Sequence, residues 1–213
     1  FYKIFYKHRI AKASFFLRIY NFIVVPFKYL HNIFFFEKKV NLDEHKIKFP
    51  NLGKKNLNSL FEYFNSDKGD YFINQYLQPA KKNKVKIKAH GYAKIYENVF
   101  VNLKNTRINI LELGSFYGNA AAAFYFYFDE AYIYSGDIYP DLFKYKSNRI
   151  KNFYVDSSSR NSLSKNLLSK KNNFDIIIED ASHMLKDQII SLFYLFPRLN
   201  QGGYFIIEEL DFP

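Results

Sequence analysis

The chain has 213 residues, 48% of them hydrophobic, which is enough to fill a core and excludes an intrinsically disordered protein. It contains no Cys, which fits a reducing compartment and the cytoplasmic location that we expect, and which leaves only oxygen and His as ligands for a metal ion. The net charge of +11 is unevenly distributed along the chain. Residues 1–55 hold 12 Lys and Arg against 3 Asp and Glu, whereas residues 56–213 hold 19 against 17. This distribution excludes a uniformly basic nucleic-acid-binding domain.

Residues 1–36 are predicted to form a basic, helical arm rich in aromatic residues. Apolar residues recur at helical spacing, and Pro26 would end or kink the helix. The longest uncharged stretch, residues 19–27, is shorter than the about 20 residues that span a bilayer. Such an arm suits packing on the domain, packing on a second copy of the chain in a homo-oligomer, or peripheral contact with the inner face of a membrane. RNA binding is a weaker alternative.

Residues 37–59 are polar and contain Pro50 and Gly53, so they are predicted to be a linker. The chain is thus divided into an arm with its linker, residues 1–59, and a domain, residues 60–213. The start at Phe1 rather than Met predicts a fragment or a processed form.

From residue 104 onward, strand and helix patterns alternate. Strands are predicted at residues 107–113, 131–136, 149–155, 174–178 and 204–207, helices at residues 120–128, 161–170 and 185–199, and a turn at residues 201–203. This alternation predicts an α/β fold with a Rossmann-like, doubly wound, mostly parallel sheet. Right-handed crossovers place the carboxyl end of every strand on one edge, where such sheets bind ligands.

The first of these strands leads through Glu112 into a loop that contains Gly114 and Gly118. Gly114 allows a tight turn with close backbone approach, and Gly118 lets the next helix start near a ligand. The loop matches neither the dinucleotide pattern G-x-G-x-x-G nor a phosphate-binding Gly-Lys-Ser/Thr. A loop opened by an acid suits a cofactor that presents amino and hydroxyl groups, although the glycine pair alone also fits an ordinary βα turn.

The loop and the acids at the ends of the next strands resemble motif I and its partners in class I S-adenosylmethionine-dependent methyltransferases. The resemblance implies that the glycine loop holds the methionine end of S-adenosylmethionine. It further implies that Asp137 accepts hydrogen bonds from both ribose hydroxyls and that Asp156 lies beside the adenine. A sixth and a seventh strand would be expected beyond Pro213 and are predicted to be missing from this chain.

Three more carboxylates are predicted at the same edge. Asp180 follows the fourth strand, and Glu208 and Glu209 follow the fifth, which can be its neighbour in a doubly wound sheet. Three converging carboxylates without a thiol suit a hard divalent cation such as Mg²⁺. A solvated strand end for the glutamates, and a surface or helix-capping role for His183, are the alternatives, but clustered acids repel one another unless a cation lies between them.

Several segments within residues 64–213 resemble the macrocin O-methyltransferase family of sugar methylases. They are Glu179-Asp180-Ala181-Ser182-His183, residues 202–210 (GGYFIIEEL), Ser66-Asp67-Lys68-Gly69, His90-Gly91-Tyr92 and Tyr96-Glu97. The chain departs from the family's usual Asp-Asp-Gly-Ser-His at Glu179 and Ala181, and from its usual Glu-Asp at Glu209. By position the resemblance implies His183 as general base, Asp180, Glu208 and Glu209 as metal ligands, and Lys68, His90 and Tyr92 near the cofactor or substrate.

The resemblance therefore predicts a metal-assisted O-methyltransferase that uses S-adenosylmethionine to methylate a sugar hydroxyl of a glycan, glycolipid or natural product. A lipid-linked glycan would suit the basic aromatic arm. The alternatives are a methyltransferase acting on another small molecule or on RNA, and a non-catalytic module that keeps the fold for binding. RNA is disfavoured because the basic residues lie in the arm rather than at the predicted catalytic edge.

Overall fold

The computed structural model describes residues 14–17, 19–20, 23–24, 27, 39–73, 85–168 and 173–210. In chain order the elements are β1 (Val40–Asn41), α1 (Leu42–Lys48), a 3-10 helix (Pro50–Lys54), α2 (Leu57–Phe64), β2 (Tyr71–Ile73), β3 (Lys86–Lys88), α3 (Ala93–Phe100), a 3-10 helix (Val101–Leu103), β4 (Asn109–Leu113), α4 (Asn119–Tyr127), β5 (Tyr132–Asp137), a 3-10 helix (Pro140–Leu142), β6 (Tyr145–Lys146), β7 (Ile150–Tyr154), α5 (Arg160–Leu163) continuing as a π-helix (Ser164–Leu168), β8 (Phe174–Glu179), α6 (Leu185–Leu195), a 3-10 helix (Phe196–Arg198) and β9 (Leu199–Ile207).

Five strands form the central sheet in the order β7-β5-β4-β8-β9, and every neighbouring pair is parallel. Two small pairs flank it, β1 parallel with β6 and β2 antiparallel with β3. The predicted α/β fold with a doubly wound, mostly parallel sheet is confirmed. The strand order reverses between β4 and β8, and at this position the strand ends of such sheets form a crevice for a ligand.

The core lies on both faces of the sheet. One cluster joins the sheet to α1–α4, and the other joins it to α5, its π-helical continuation and α6. Every residue of α4 is buried, as expected for a helix that is apolar on all sides. Its four consecutive alanines leave room for neighbouring helices, while Phe124 packs edge-on against Phe61 of α2 at 5.5 Å between ring centroids.

The predicted linker over residues 37–59 is wrong in the part that the structure describes. Residues 42–57 form α1, a 3-10 helix and the start of α2, and Leu42, Leu52 and Leu57 are buried in the core. The prediction failed because these leucines are separated by polar residues that face solvent. The folded domain therefore includes residues before position 60.

The predicted turn at residues 201–203 is also wrong, because these residues lie inside β9. Phe174 pairs with Leu199 but Ile176 pairs with Tyr204, so two steps along β8 correspond to five along β9. Gly202, with φ of +77°, takes up part of this irregularity. The glycine pair thus marks a bulge within a strand rather than the end of one.

The last predicted helix is shorter than its sequence pattern. It ends at Leu195, a 3-10 turn with Pro197 follows, and Leu199 already belongs to β9. Proline lacks an amide hydrogen and cannot continue α-helical hydrogen bonding. The predicted helix at residues 161–170 is confirmed over the described positions 161–168, although it turns π-helical at Ser164, and residues 169–170 lie outside the described residues.

The described residues between 15 and 27 are helical, as predicted for the arm. Their large apolar side chains are exposed, with Phe15 at 70% and Phe16 at 82%. These rings therefore do not pack on the described part of the domain. Within the described residues, no helix is both long and apolar enough to cross a bilayer.

Candidate active site

The backbone of the glycine loop lies in direct contact with the backbone at the end of β8. The Asp180 amide donates to the Leu113 carbonyl at 3.0 Å, and the Gly114 amide donates to the Gly136 carbonyl at 2.8 Å. Gly114 has φ of +84°, and a Cβ atom there would lie 1.9 Å from the Asp180 carbonyl oxygen. Only glycine fits at this position, so the loop and the Asp180 strand end form one rim.

Gly118 begins α4 with φ of +79°. A Cβ atom there would approach the Phe143 ring to 2.4 Å. This glycine therefore lets α4 start against the segment that follows β5. Glycine is required at the two positions for different reasons. At Gly114 two backbones cross, and at Gly118 the start of α4 is crowded by the Phe143 ring.

Asp137 ends β5 beside the loop, as the sequence predicts. Its Oδ2 accepts from the Phe116 amide at 2.7 Å, and its Oδ1 accepts from the Tyr139 amide at 2.6 Å. The carboxylate is mostly buried and fixes the loop, which has φ of +43° at Phe116. Each oxygen accepts a backbone amide, so the carboxylate is held at the edge of the sheet beside the glycine loop.

Asp156 follows β7, one strand further from the loop. Its Oδ1 accepts from the Ser158 amide at 3.0 Å and from the Ser158 hydroxyl at 2.6 Å, which closes a local turn. The preceding residue, Val155, donates its amide to the Asp137 carbonyl at 3.0 Å. The structure thus places Asp137 and Asp156 on successive strand ends, in the predicted order.

A cavity opens between the glycine loop and the segment that contains Lys68. It is lined by Ser66, Asp67, Lys68, Glu112, Gly114, Ser115, Phe116, Tyr117, Asn119, Ala120 and Asp180. Glu112 is 1% exposed, and its Oε2 accepts no hydrogen bond. Burial raises the pKa of Glu112 to about 8. A buried carboxylate oxygen without a donor fits a ligand that brings an amino group or positive charge, so these residues fit S-adenosylmethionine.

Lys68 joins the ends of β8 and β9. Its side chain is 3% exposed, and its Nζ donates to Asp180 Oδ2 at 2.5 Å and to Glu208 Oε2 at 2.7 Å. Burial alone would lower the pKa of Lys68, but the two carboxylates raise it well above its usual range. Lys68 is therefore an ammonium ion that pairs with two of the three acids that the sequence predicts as metal ligands.

Glu209 points to a different set of partners from its neighbour Glu208. Its Oε1 accepts from the Tyr92 hydroxyl at 3.1 Å and lies 3.1 Å from His90 Nδ1. The His90 and Tyr92 rings stack at 5.3 Å, and burial with the Glu209 contact raises the pKa of Tyr92 to about 12. Glu208 instead accepts from the hydroxyl of Tyr96.

Of the three predicted metal ligands, Asp180 and Glu208 therefore converge on one point, and Glu209 faces away from it. Lys68 lies between Asp180 and Glu208, and Glu209 faces His90 and Tyr92. No group of three or more Asp, Glu or His side chains among the described residues could hold a metal ion. Asp180 and Glu208 supply the hard oxygen ligands that Mg²⁺ prefers, and in this structure the Lys68 ammonium binds one oxygen of each.

His183 follows the crossing of the two backbones and has φ of +57°. Its Nε2 lies 3.8 Å from Asp180 Oδ1, which is an ion-pair distance rather than a hydrogen bond. Its side chain is 32% exposed, but its Nδ1 is buried and has no hydrogen-bond partner. Asp180 thus contacts both Lys68 and His183.

Sequence reasoning missed how these residues are held. The Ser66–Gly69 segment is bonded to the start of α3 by the Ala93 amide, which donates to the Lys68 carbonyl at 3.1 Å. Gln188, buried in α6, donates to the carbonyls of Glu208 and Glu209 at 3.1 and 3.2 Å. A lone Gln within a helix pattern gives no signal of this role, and the Ser66–Gly69 motif placed Lys68 only near the cofactor or substrate.

The chain matches no family model. It is similar to curated sugar O-methyltransferases, and 8-demethyl-8-alpha-L-rhamnosyl tetracenomycin-C 2'-O-methyltransferase of Streptomyces olivaceus is 30% identical over 57% of this chain and 34% of its own length. Demethylmacrocin O-methyltransferase of Streptomyces fradiae is 27% identical over 57% of this chain and 32% of its own. The chain spans about a third of the length of the curated relatives it matches.

Solved structures with a similar fold include the MycE methyltransferase from the mycinamycin biosynthetic pathway. Its complex with Mg and SAH has a TM-score of 0.57 and 23% identity, covering 72% of this chain and 37% of that protein. A complex with Mg, SAH and mycinamycin VI gives the same values. The resemblance inferred from the motifs is confirmed: this chain has the α/β fold of the MycE methyltransferase, and its curated relatives are sugar O-methyltransferases.

Proposed function

We propose that this protein is an S-adenosylmethionine-dependent, divalent-metal-assisted O-methyltransferase that acts on a sugar hydroxyl of a glycan, glycolipid or natural product. The observation that carries the proposal is the single rim on which the glycine loop crosses Asp180, with Asp137 on one side and His183 on the other. The names of the curated relatives support a sugar acceptor. The bound SAH of the MycE methyltransferase supports the cofactor.

The chain's own residues divide into a cofactor side and an acceptor side. On the cofactor side, Glu112 offers a buried oxygen without a hydrogen-bond partner for an amino group, and Asp137, at the end of β5 beside the glycine loop, would accept the ribose hydroxyls. Gly114 and Gly118 keep the loop close to the ligand, and Asp156 lies on the adjacent strand end. When bound, S-adenosylmethionine supplies a methyl group on a cationic sulfur.

On the acceptor side, His183 is the proposed general base. A sugar hydroxyl is a weak nucleophile until its proton is removed, and a positioned base contributes about 10²–10⁴-fold. Asp180, 3.8 Å from His183 Nε2, would stabilise the imidazolium that forms. Asp180, Glu208 and Glu209 are the residues that would hold a divalent ion, which would lower the pKa of the sugar hydroxyl and orient it.

The arm is proposed to contact an anionic membrane surface and so to bring the enzyme to a lipid-linked acceptor. The exposed Phe15 and Phe16 and the excess of Lys and Arg before residue 56 support this proposal. Assembly of the arm with a second copy of the chain is the alternative.

The proposal is tested by following transfer of labelled methyl from S-adenosylmethionine to glycosylated acceptors with wild type and with His183→Ala. The account predicts transfer by wild type and a loss of about 10² or more in the variant. His45→Ala is the matched control, because His45 contacts the Tyr63 hydroxyl rather than the rim residues. Full activity of His183→Ala would contradict the assigned chemistry, and cofactor binding without transfer to any acceptor would favour the non-catalytic module.

A further inference from the structure

We propose that Tyr96 and Gln188 are positioning residues that orient Glu208 for a divalent ion. Tyr96 donates its hydroxyl to Oε1 of Glu208, and Gln188 donates its side-chain amide to the Glu208 carbonyl at 3.1 Å. The two residues come from different helices, α3 and α6, and are 2% and 3% exposed. This inference rests on the divalent-metal part of the proposed function.

The backbone turns at the end of β9, and Gln188 holds the turn. Glu209 has φ of +56°, a conformation that is uncommon for a residue with a side chain. Gln188 donates to the carbonyls of both Glu208 and Glu209, at 3.1 and 3.2 Å. The two consecutive side chains therefore point to different partners, Glu208 to Lys68 and Glu209 to His90.

Tyr96 fixes the carboxylate of Glu208 in turn. Lys68 donates to Oε2 of this carboxylate and Tyr96 to Oε1. The Tyr96 ring packs against Phe100 and Phe61, at 5.2 and 6.5 Å between ring centroids, so its hydroxyl has little freedom. A carboxylate offers about four lone-pair sites, and an oxygen that accepts from a tyrosine can also bind a cation. Hydrogen bonds of this kind orient the carboxylates that hold metal ions.

The start of α3 assigns a separate tyrosine to each of the two glutamates. Tyr92 directly precedes α3 and donates to Glu209 at 3.1 Å, whereas Tyr96 donates to Glu208. Residues four positions apart are neighbours on one face of a helix, so the two hydroxyls reach the end of β9 side by side. The position of α3 against β9 thus determines that Glu208 is the glutamate that converges with Asp180.

The inference is tested by ion binding. Mn²⁺, whose binding is followed by electron paramagnetic resonance, is titrated into wild type, Tyr96→Phe and Gln188→Met without cofactor or acceptor. Tyr63→Phe is the matched control, because it removes a hydroxyl that contacts His45 at 2.9 Å rather than a rim residue. We expect Tyr96→Phe and Gln188→Met each to weaken Mn²⁺ binding by about tenfold or more, and Tyr63→Phe to bind like wild type.

A double-mutant cycle separates positioning from a general loss of packing. Glu208→Asp keeps a carboxylate but shortens the side chain by one methylene, which takes it away from the Tyr96 hydroxyl. If Tyr96 acts through Glu208, adding Tyr96→Phe to Glu208→Asp should weaken Mn²⁺ binding no further. A further loss as large as that of Tyr96→Phe alone would overturn the inference.

The outcomes distinguish this inference from the proposed function. Equal Mn²⁺ binding by Tyr96→Phe and wild type would overturn the inference and leave the metal-assisted chemistry standing. No Mn²⁺ binding by folded wild type would overturn both. If Gln188→Met does not fold, Tyr96→Phe decides alone, because phenylalanine keeps the packed ring. Failure of the methyl-transfer assay leaves each of these results unchanged.

Discussion

Gly114 lies directly beneath Asp180, so that a Cβ atom on residue 114 would lie 1.9 Å from the Asp180 carbonyl oxygen. This crossing joins the cofactor loop to the strand end that carries the acids. Gly114→Ala should therefore lower the free energy of unfolding by about 3 kcal/mol or more, because strain at positive φ adds to a backbone clash. Denaturant unfolding measures the effect.

The matched control for this prediction is Gly202→Ala. Gly202 has a similar φ of +77°, but nothing lies within 4 Å of its added Cβ. Gly202→Ala should lower the free energy of unfolding by only about 1–2 kcal/mol, which is the cost of the left-handed conformation for a residue with a side chain. Equal losses in the two variants would show that the crossing with Asp180 does not constrain the loop.

Glu112 should make stability depend on pH in an unusual direction. Its folded pKa is about 8 against an ordinary 4.5, so the folded state keeps a proton that the unfolded state releases, and stability falls as pH rises through this window. Glu112→Gln carries no such proton and should melt at a higher temperature than wild type at pH 8, by an amount that shrinks toward pH 5. Glu130→Gln, on the surface, is the control. A difference that does not change with pH would contradict the prediction.

Asp43 connects α1 to the rest of the domain through hydrogen bonds. It accepts from the Tyr125 and Ser147 hydroxyls at 2.7 and 2.8 Å and from the Asn148 amide at 3.1 Å. Burial opposes but does not cancel these contacts, which lower its pKa below 3.8. Asp43→Ala should cost about 2–3 kcal/mol at neutral pH.

Because its folded pKa is depressed, the contribution of Asp43 is present above the ordinary pKa and is lost as the pH falls through the folded value. The gap between wild type and Asp43→Ala should therefore narrow in acid. Glu44→Ala, one residue along α1 and exposed, should cost much less. Denaturant titrations at neutral and acid pH measure both variants, and equal costs would refute the role of Asp43.

The arm should bind anionic vesicles. Wild type is expected to co-sediment with phosphatidylglycerol vesicles, and the double change Phe15→Ser with Phe16→Ser should reduce the bound fraction, since both rings are exposed. Ile47→Ser, at an 81% exposed residue outside the arm, is the matched control and should bind like wild type. Unchanged co-sedimentation of the double variant would exclude the rings as the contact.

The sheet and its functional edge could be predicted from the sequence because each strand is a short apolar run that ends in an acid or glycine. That local pattern was enough to place Gly114, Asp137 and Asp180 on one edge, since parallel strands end on the same side. It could not place Lys68, whose ammonium reaches Asp180 through a contact between residues far apart in the chain. No local pattern encodes such a contact.

The errors have the same origin. Leu42, Leu52 and Leu57 are spaced among polar residues, and only the finished core shows that they are buried. The glycine pair before Tyr204 has the composition of a turn, yet its neighbours on β8 hold it inside a strand. In both cases tertiary contacts override a correct local preference.

Titration calorimetry with S-adenosylmethionine on wild type and Asp137→Ala tests the central claim most directly. The account predicts saturable binding of one cofactor per chain in wild type and a loss of roughly tenfold or more in Asp137→Ala, because Asp137 holds the Phe116 amide and is the proposed acceptor for the ribose hydroxyls. No binding by folded wild type, or equal binding by the variant, would contradict it.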